Sequence, residues 1–137
     1  MQESIFTKII NGEIPCHKVY EDDKTLAFLD IDPLMPGNVL VIPKQQVDHI
    51  EDLSDEMYQA VWATVKKVSK RVQTVLGSSR AIVLVMGYDV PHAHVHVLPS
   101  DNGADFMTAV AARAAPDYTP TEPDYPALAA LAKRLTF

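Results

Sequence analysis

The stretch from Asp55 to Leu76 constrains the fold of this chain more tightly than any other. Met57, Val61, Val65, Val68, Val72 and Val75 recur at spacings of three and four residues, which aligns them along one side of a helix about six turns long. Ser54 stands at the N-cap position, Asp55 and Glu56 suit the positive end of the helix dipole, and Gly77 supplies a stop. The valine stripe is either core or a dimer seam. On one side of it in sequence lies Asn38-Val39-Leu40-Val41-Ile42-Pro43, a continuous apolar run that predicts a strand buried on both faces. On the other side, Ala81 to Met86 predicts a further buried strand.

The remaining segments carry weaker but readable signals. Ile5, Phe6, Ile9 and Ile10 have helical spacing, with Ser4 as N-cap and Asn11-Gly12 as stop. Val19-Tyr20 and Thr25 to Asp30 read as two short strands around the charged turn Glu21 to Lys24, and Pro33, Pro36 and Gly37 mark a loop. Asp105 to Ala115 is alanine-rich and predicts a helix that ends at Pro116. Pro116, Pro120, Pro123 and Pro126 then break up an extended tail, and Leu128, Leu131 and Leu135 predict a final short helix. This order implies an α+β fold: a mainly antiparallel sheet of about five strands, one long helix and a short N-terminal helix. With 137 residues, 47% of them hydrophobic, the chain can bury one good core. We expect that core over residues 1–100, with a helical, Pro-rich extension over 101–137 packed on the same domain.

The net charge of −6 argues against a nucleic-acid polymer as partner, while leaving room for one small nucleotide in a local pocket. No apolar run approaches the roughly 20 residues needed to span a bilayer, and Gln2-Glu3-Ser4 do not open a signal peptide, so a cytoplasmic protein without a membrane partner is expected. The single cysteine, Cys16, excludes an internal disulfide and reads as a buried or half-buried thiol rather than a nucleophile.

Function concentrates in Val90-Pro91-His92-Ala93-His94-Val95-His96-Val97-Leu98-Pro99, which holds three of the five histidines. Strict alternation predicts a half-buried strand carrying three imidazoles on one face, about 6.6–6.8 Å between successive members. Imidazole near neutral pH serves as nucleophile, general acid or metal ligand. Alternative readings are a row of satisfied structural histidines, or a zinc or copper chelate, although no carboxylate or cysteine partner lies close in sequence. His17 and His49 lack any partner pattern and read as surface residues.

Together with three earlier blocks, this run resembles the histidine-triad (HIT) superfamily of nucleotide hydrolases and transferases, most nearly its Hint-like bacterial branch. The blocks are Ile5 to Pro15, Leu26 to Ile31, Pro36 to Lys44 and Val90 to Pro99. The resemblance implies that the middle histidine attacks the α-phosphorus of a purine nucleotide derivative, forming a nucleotidyl-histidine that water later cleaves. By position His94 would be the nucleophile, His92 would orient it, and His96 would donate a hydrogen bond toward the phosphate oxygens. Ile5, Phe6, Phe28 and Ile31 would sandwich the base, and Asp30 would accept hydrogen bonds from the ribose. The substrate would be a phosphoramidate, a dinucleoside polyphosphate or an adenylylated group, with no cofactor. The resemblance also implies a homodimer built from an intermolecular sheet and the long helix.

Three departures from that pattern stand out. Many bacterial relatives bind structural zinc through a Cys-x-x-Cys pair and a histidine after Pro-Lys; here those positions hold Ser4, Thr7 and Gln46, so no metal is expected. The Gly-rich loop before the histidines is short, Gly87-Tyr88-Asp89. Asp89 occupies a position where a donor to the leaving group is often placed. A nucleotide-binding or sensing module with little turnover is the competing reading, and a metalloprotein using the three imidazoles is a third.

Overall fold

Capping chemistry sets the helix ends. The computed structural model describes residues 2–137, so the first residue of the expected 1–100 core lies outside it. Helix α1 (Ile5–Ile10) starts at Ser4, whose side chain accepts the Thr7 N–H, and the long helix α2 (Asp55–Leu76) starts at Ser54, whose side chain accepts the Met57 N–H. Gly77 ends α2 in the left-handed region at φ 70°, where a side chain would be strained. Both ends of α2 fall where the sequence places them. Strands β1 (Lys18–Glu21), β2 (Thr25–Leu29), β3 (Val39–Pro43), β4 (Arg80–Leu84) and β5 (Val95–Ser100) follow in chain order, with helices α3 (Gly103–Ala114) and α4 (Tyr125–Leu135) after them.

The five strands form one antiparallel sheet in the order β1-β2-β3-β5-β4, the α+β architecture expected. Alternation divides its residues between two faces. Ala27, Leu29, Val39, Val41, Val95 and Val97 meet Val61, Val65, Val68 and Val72 of α2. Each buried valine is worth roughly 1.5–2 kcal/mol relative to exposure, so the stripe anchors α2 as core. Thr25 and Thr64, both fully buried, satisfy one another across this interface at 2.7 Å between hydroxyls. On the other face Leu26, Phe28, Leu40 and Ile42 pack with Phe6 of α1. The register aligns Phe28 with Leu40, Leu40 with His96, and His96 with Leu84, so His96 belongs to this second face.

The C-terminal segment joins the same core. Ala132 and Leu135 of α4 are buried against it, and the Arg71 Nε–H of α2 donates to the Leu135 carbonyl at 2.9 Å.

Several expectations need correction. The histidine run is not a strand throughout, because β5 begins only at Val95. Upstream backbone groups go elsewhere: the His92 N–H donates to Val90 O at 2.8 Å and the Ala93 N–H to Val47 O at 2.7 Å. Pro91 has no N–H to offer a ladder. The expected buried strand from Ala81 to Met86 is instead the sheet edge β4, paired on one side only, with Val83, Val85 and Met86 each about 40% exposed (40%, 42% and 41%). An apolar run reports burial only when neighbours cover both faces. Pro126 does not interrupt the tail but sits in the first turn of α4, where its missing N–H costs nothing. His17 is half-buried and stacks on Tyr125 rather than lying free on the surface, whereas His49 is exposed.

Candidate active site

The second face of the sheet opens into a cavity of about 670 Å³. Its walls come from α1 and the segment after it, strands β2, β3 and β5, the turn after β2, the loop between β4 and β5, the end of α3 and a stretch beyond α3. Of the nine sequence-predicted site residues, eight line it: Ile5, Phe6, Phe28, Asp30, Ile31, Asp89, His94 and His96. The ninth, His92, is fully buried and stands apart from the wall.

Hydrogen bonds determine which nitrogen of each imidazole carries the proton. His92 Nε2 lies 2.9 Å from the Pro43 carbonyl, which only accepts, so Nε2 is the donor. Burial holds this ring below its ordinary pKa, which keeps it neutral with a lone pair on Nδ1. That lone pair accepts the Ser4 hydroxyl at 2.8 Å. His92 in turn offers its own carbonyl to His94 Nδ1 at 2.7 Å. His94 therefore carries its proton on Nδ1 and, when neutral, presents a lone pair on Nε2 from a ring that lines the cavity. The His94 and His96 rings are tilted, with centroids 5.4 Å apart. His96 Nδ1 faces the Asn38 side-chain oxygen at 3.3 Å, and burial first, aided by the neighbouring histidine, pushes its pKa down to about 4.

Phe6 packs edge-on against both His92 and His94, at centroid distances of 5.8 and 5.1 Å, so it is a brace for the histidines as well as a cavity wall. Ile5 and Ile31 are 47% and 48% exposed although apolar, a cost that an apolar ligand between them would remove. Asp30 is half-buried, and burial raises its carboxyl above the ordinary range; its Oδ1 accepts the Asp32 N–H at 2.9 Å. The Cys16 thiol also lines the cavity, with its pKa pushed up by burial, which disfavours a nucleophilic thiolate.

A profile of the HIT domain matches residues 11–103 of the chain. The chain belongs to the HIT family. It is 40% identical over 102 residues to an adenosine 5′-monophosphoramidase of Schizosaccharomyces pombe, covering 72% of this chain and 74% of that protein. To an adenylylsulfatase of Arabidopsis thaliana it is 35% identical over 102 residues, covering 71% of this chain and 52% of that protein. Among solved structures, a Hit-like protein from Bartonella henselae superposes with a TM-score of 0.81 at 30% identity, covering 97% of this chain and 93% of the other.

This HIT chain departs from its relatives' expected metal site in a specific way. Ser4, Thr7, Gln46 and His92 do come together, but through hydrogen bonds. Thr7 Oγ1 and the Ser4 N–H both donate to Gln46 Oε1 at 2.7 Å, and the Thr7 N–H donates to Ser4 Oγ at 3.0 Å. Hydroxyl and amide oxygens are poor ligands for zinc beside thiolate and imidazole, so these residues do not fit that metal. Among the described residues, no group of three or more His, Cys, Asp or Glu side chains is placed to hold a metal ion. No described helix is long and apolar enough to cross a membrane.

Among the cavity residues that escaped sequence reasoning, two carry polar chemistry from beyond the matched region, Arg113 and Tyr118, and both engage a third, Asp32. No local pattern marks them, because an Arg in an alanine-rich helix reads as a solvated surface charge.

Proposed function

We propose that this HIT protein cleaves the bond between the α-phosphate of a purine nucleoside 5′-phosphate derivative and its leaving group, through a covalent intermediate on His94. The observation that supports this reading is the 2.7 Å contact from His94 Nδ1 to the His92 carbonyl, which leaves Nε2 with the lone pair on a ring that lines the cavity. In the first step Nε2 bonds to the α-phosphorus as the bond from phosphorus to the leaving group breaks, and the leaving group departs with the electron pair. The positive charge that develops on the substituted imidazole is stabilised by the same carbonyl. When the leaving group is an amine, it needs a proton, and Asp89 at the cavity rim is the acid we assign to that task. Water then attacks the phosphorus, gives its proton to the Asp89 carboxylate, and releases the nucleoside monophosphate and free His94.

The base lies between the apolar walls Ile5, Phe6, Phe28 and Ile31, and Asp30 holds the ribose hydroxyls. The names of two relatives, a monophosphoramidase and an adenylylsulfatase, support cleavage at an adenylyl phosphorus but differ in the leaving group. We also propose that two copies pair through β4, whose second edge and exposed Val83, with the exposed Val85 and Met86 just past its end, are open to a partner strand.

Intact-mass analysis of base-quenched reactions with adenosine 5′-phosphoramidate tests the mechanism, since the phosphorus–nitrogen bond of the adduct hydrolyses in acid. An adenylyl adduct that vanishes in His94→Ala is expected. Binding without adduct or turnover, unaffected by His94→Ala, would instead favour the nucleotide-sensing reading that Asp89 and the short loop motivate.

A further inference from the structure

The cavity is sparingly supplied with positive charge. Among the described residues lining it, three are carboxylates, Asp30, Asp32 and Asp89, and Arg113 is the only lysine or arginine. Arg113 comes from the last turn of α3, outside the matched HIT region. Its Nη2–H donates to the Asp32 carbonyl at 2.8 Å, and its guanidinium carbon lies 4.9 Å from the centre of the Tyr118 ring. The Tyr118 hydroxyl donates to Asp32 Oδ1 at 2.7 Å, so that oxygen is engaged, and it stands 3.6 Å from Arg113 Nη2. A guanidinium has five N–H donors, and this geometry orients it while occupying few of them. The Arg113 side chain is partly exposed while His94 and His96 are buried, and it is close enough to His96 and Asp30 to act on the charge of both.

We propose that Arg113 is a specificity-determining residue that binds an anionic leaving group, making the preferred substrates nucleoside 5′-phosphates whose α-phosphate carries a further phosphoryl or sulfuryl group. The proposal rests on the reading of His94 given above. The assignment follows from what each wall can recognise. Apolar residues take the base, Asp30 takes the ribose, and the histidines take the α-phosphate. The part of the substrate left for a partly exposed cation in the lining is the departing group. A second anion entering a cavity lined by the Asp30 and Asp32 carboxylates would otherwise meet repulsion, which a guanidinium offsets.

Two measurements on the full chain separate this proposal from the reading beneath it. In calorimetry with AMP and ADP, Arg113→Gln should weaken ADP by about 10- to 100-fold and AMP by less than about 3-fold, with partial recovery in Arg113→Lys. This arm needs no turnover, so it stands even if His94 forms no adduct. In steady-state kinetics, Arg113→Gln should lower kcat/KM for adenosine 5′-phosphosulfate by a similar factor while leaving adenosine 5′-phosphoramidate nearly unchanged. An equal loss for AMP and ADP, or for both substrates, would assign Arg113 to the α-phosphate or to structure and overturn the proposal. No loss for any of them would overturn it too.

Discussion

Ser4 and His92, 88 positions apart, meet at 2.8 Å between hydroxyl and Nδ1, and this contact links the first helix to the histidine run. The Ser4 side chain also accepts the Thr7 N–H, so one residue caps α1 and donates to the buried imidazole.

That contact makes a metal site recoverable. Thr7 Oγ1 lies 3.4 Å from the same His92 nitrogen, near the roughly 3.5 Å separation of ligands around tetrahedral zinc. His92 Nδ1 already holds a lone pair, since Nε2 donates to Pro43. The triple replacement Ser4→Cys, Thr7→Cys and Gln46→His is expected to bind one zinc per chain and to lose thermal stability on chelation. Elemental analysis finding no zinc in the purified variant would contradict this geometry.

Acid should destabilise the protein through His96. Its folded pKa of about 4 lies below the ordinary 6.5, so between those values the unfolded chain binds a proton that the folded chain refuses. Stability from this group is complete above pH 6.5 and is lost as pH falls toward 4, with a ceiling of roughly 3 kcal/mol. His96→Asn is expected to flatten that part of the stability curve in urea titrations. A curve of unchanged slope would show that other groups govern it.

The same ring predicts proton uptake on binding. With Nδ1–H directed at Asn38, neutral His96 has a lone pair on Nε2, and it donates to a phosphate oxygen only after gaining a proton. Calorimetric titration with AMP at neutral pH, in buffers of different ionisation enthalpy, should report up to one proton taken up per site. The uptake should disappear in His96→Asn.

Asp30→Asn tests the ribose contact without removing the turn, because Asn retains the oxygen that accepts the Asp32 N–H. AMP should bind about tenfold more weakly, the scale of one hydrogen bond to a charged acceptor. Its 2′,3′-dideoxy analogue should bind the wild type and the variant alike. A parallel loss for both ligands would remove Asp30 from the ribose site.

Gly37, one residue before the Asn38 that faces His96, offers a stability test. Its φ is +88°, and a Cβ there would lie 2.9 Å from Leu76 Cδ1 and 3.0 Å from Pro99 Cγ. Strain and overpacking together should cost roughly 2–4 kcal/mol in Gly37→Ala, read as a lowered urea midpoint with unchanged m-value.

Most of the elements, the seven cavity-lining residues named from motif blocks, and Asp89 from the loop beside one, were legible in the sequence because their causes are local or lie within one contiguous block. Ser54 and Gly77 delimit α2 by satisfying its own end groups, and the valine stripe follows from a 3.6-residue period. The histidine run shows where local reading stops. Alternation alone implied a strand from His92 onward, yet the Ala93 N–H went to Val47, a partner invisible to periodicity. Only the tertiary structure decided that Ser4 would reach His92, that β4 would be left at an edge, and that Arg113 at the end of α3 and Tyr118 beyond it would close the cavity. The reason is physical: caps and periods act within a few residues of the chain, whereas the proton on each imidazole and the charge lining the cavity depend on groups that only packing brings within hydrogen-bond or Coulomb range.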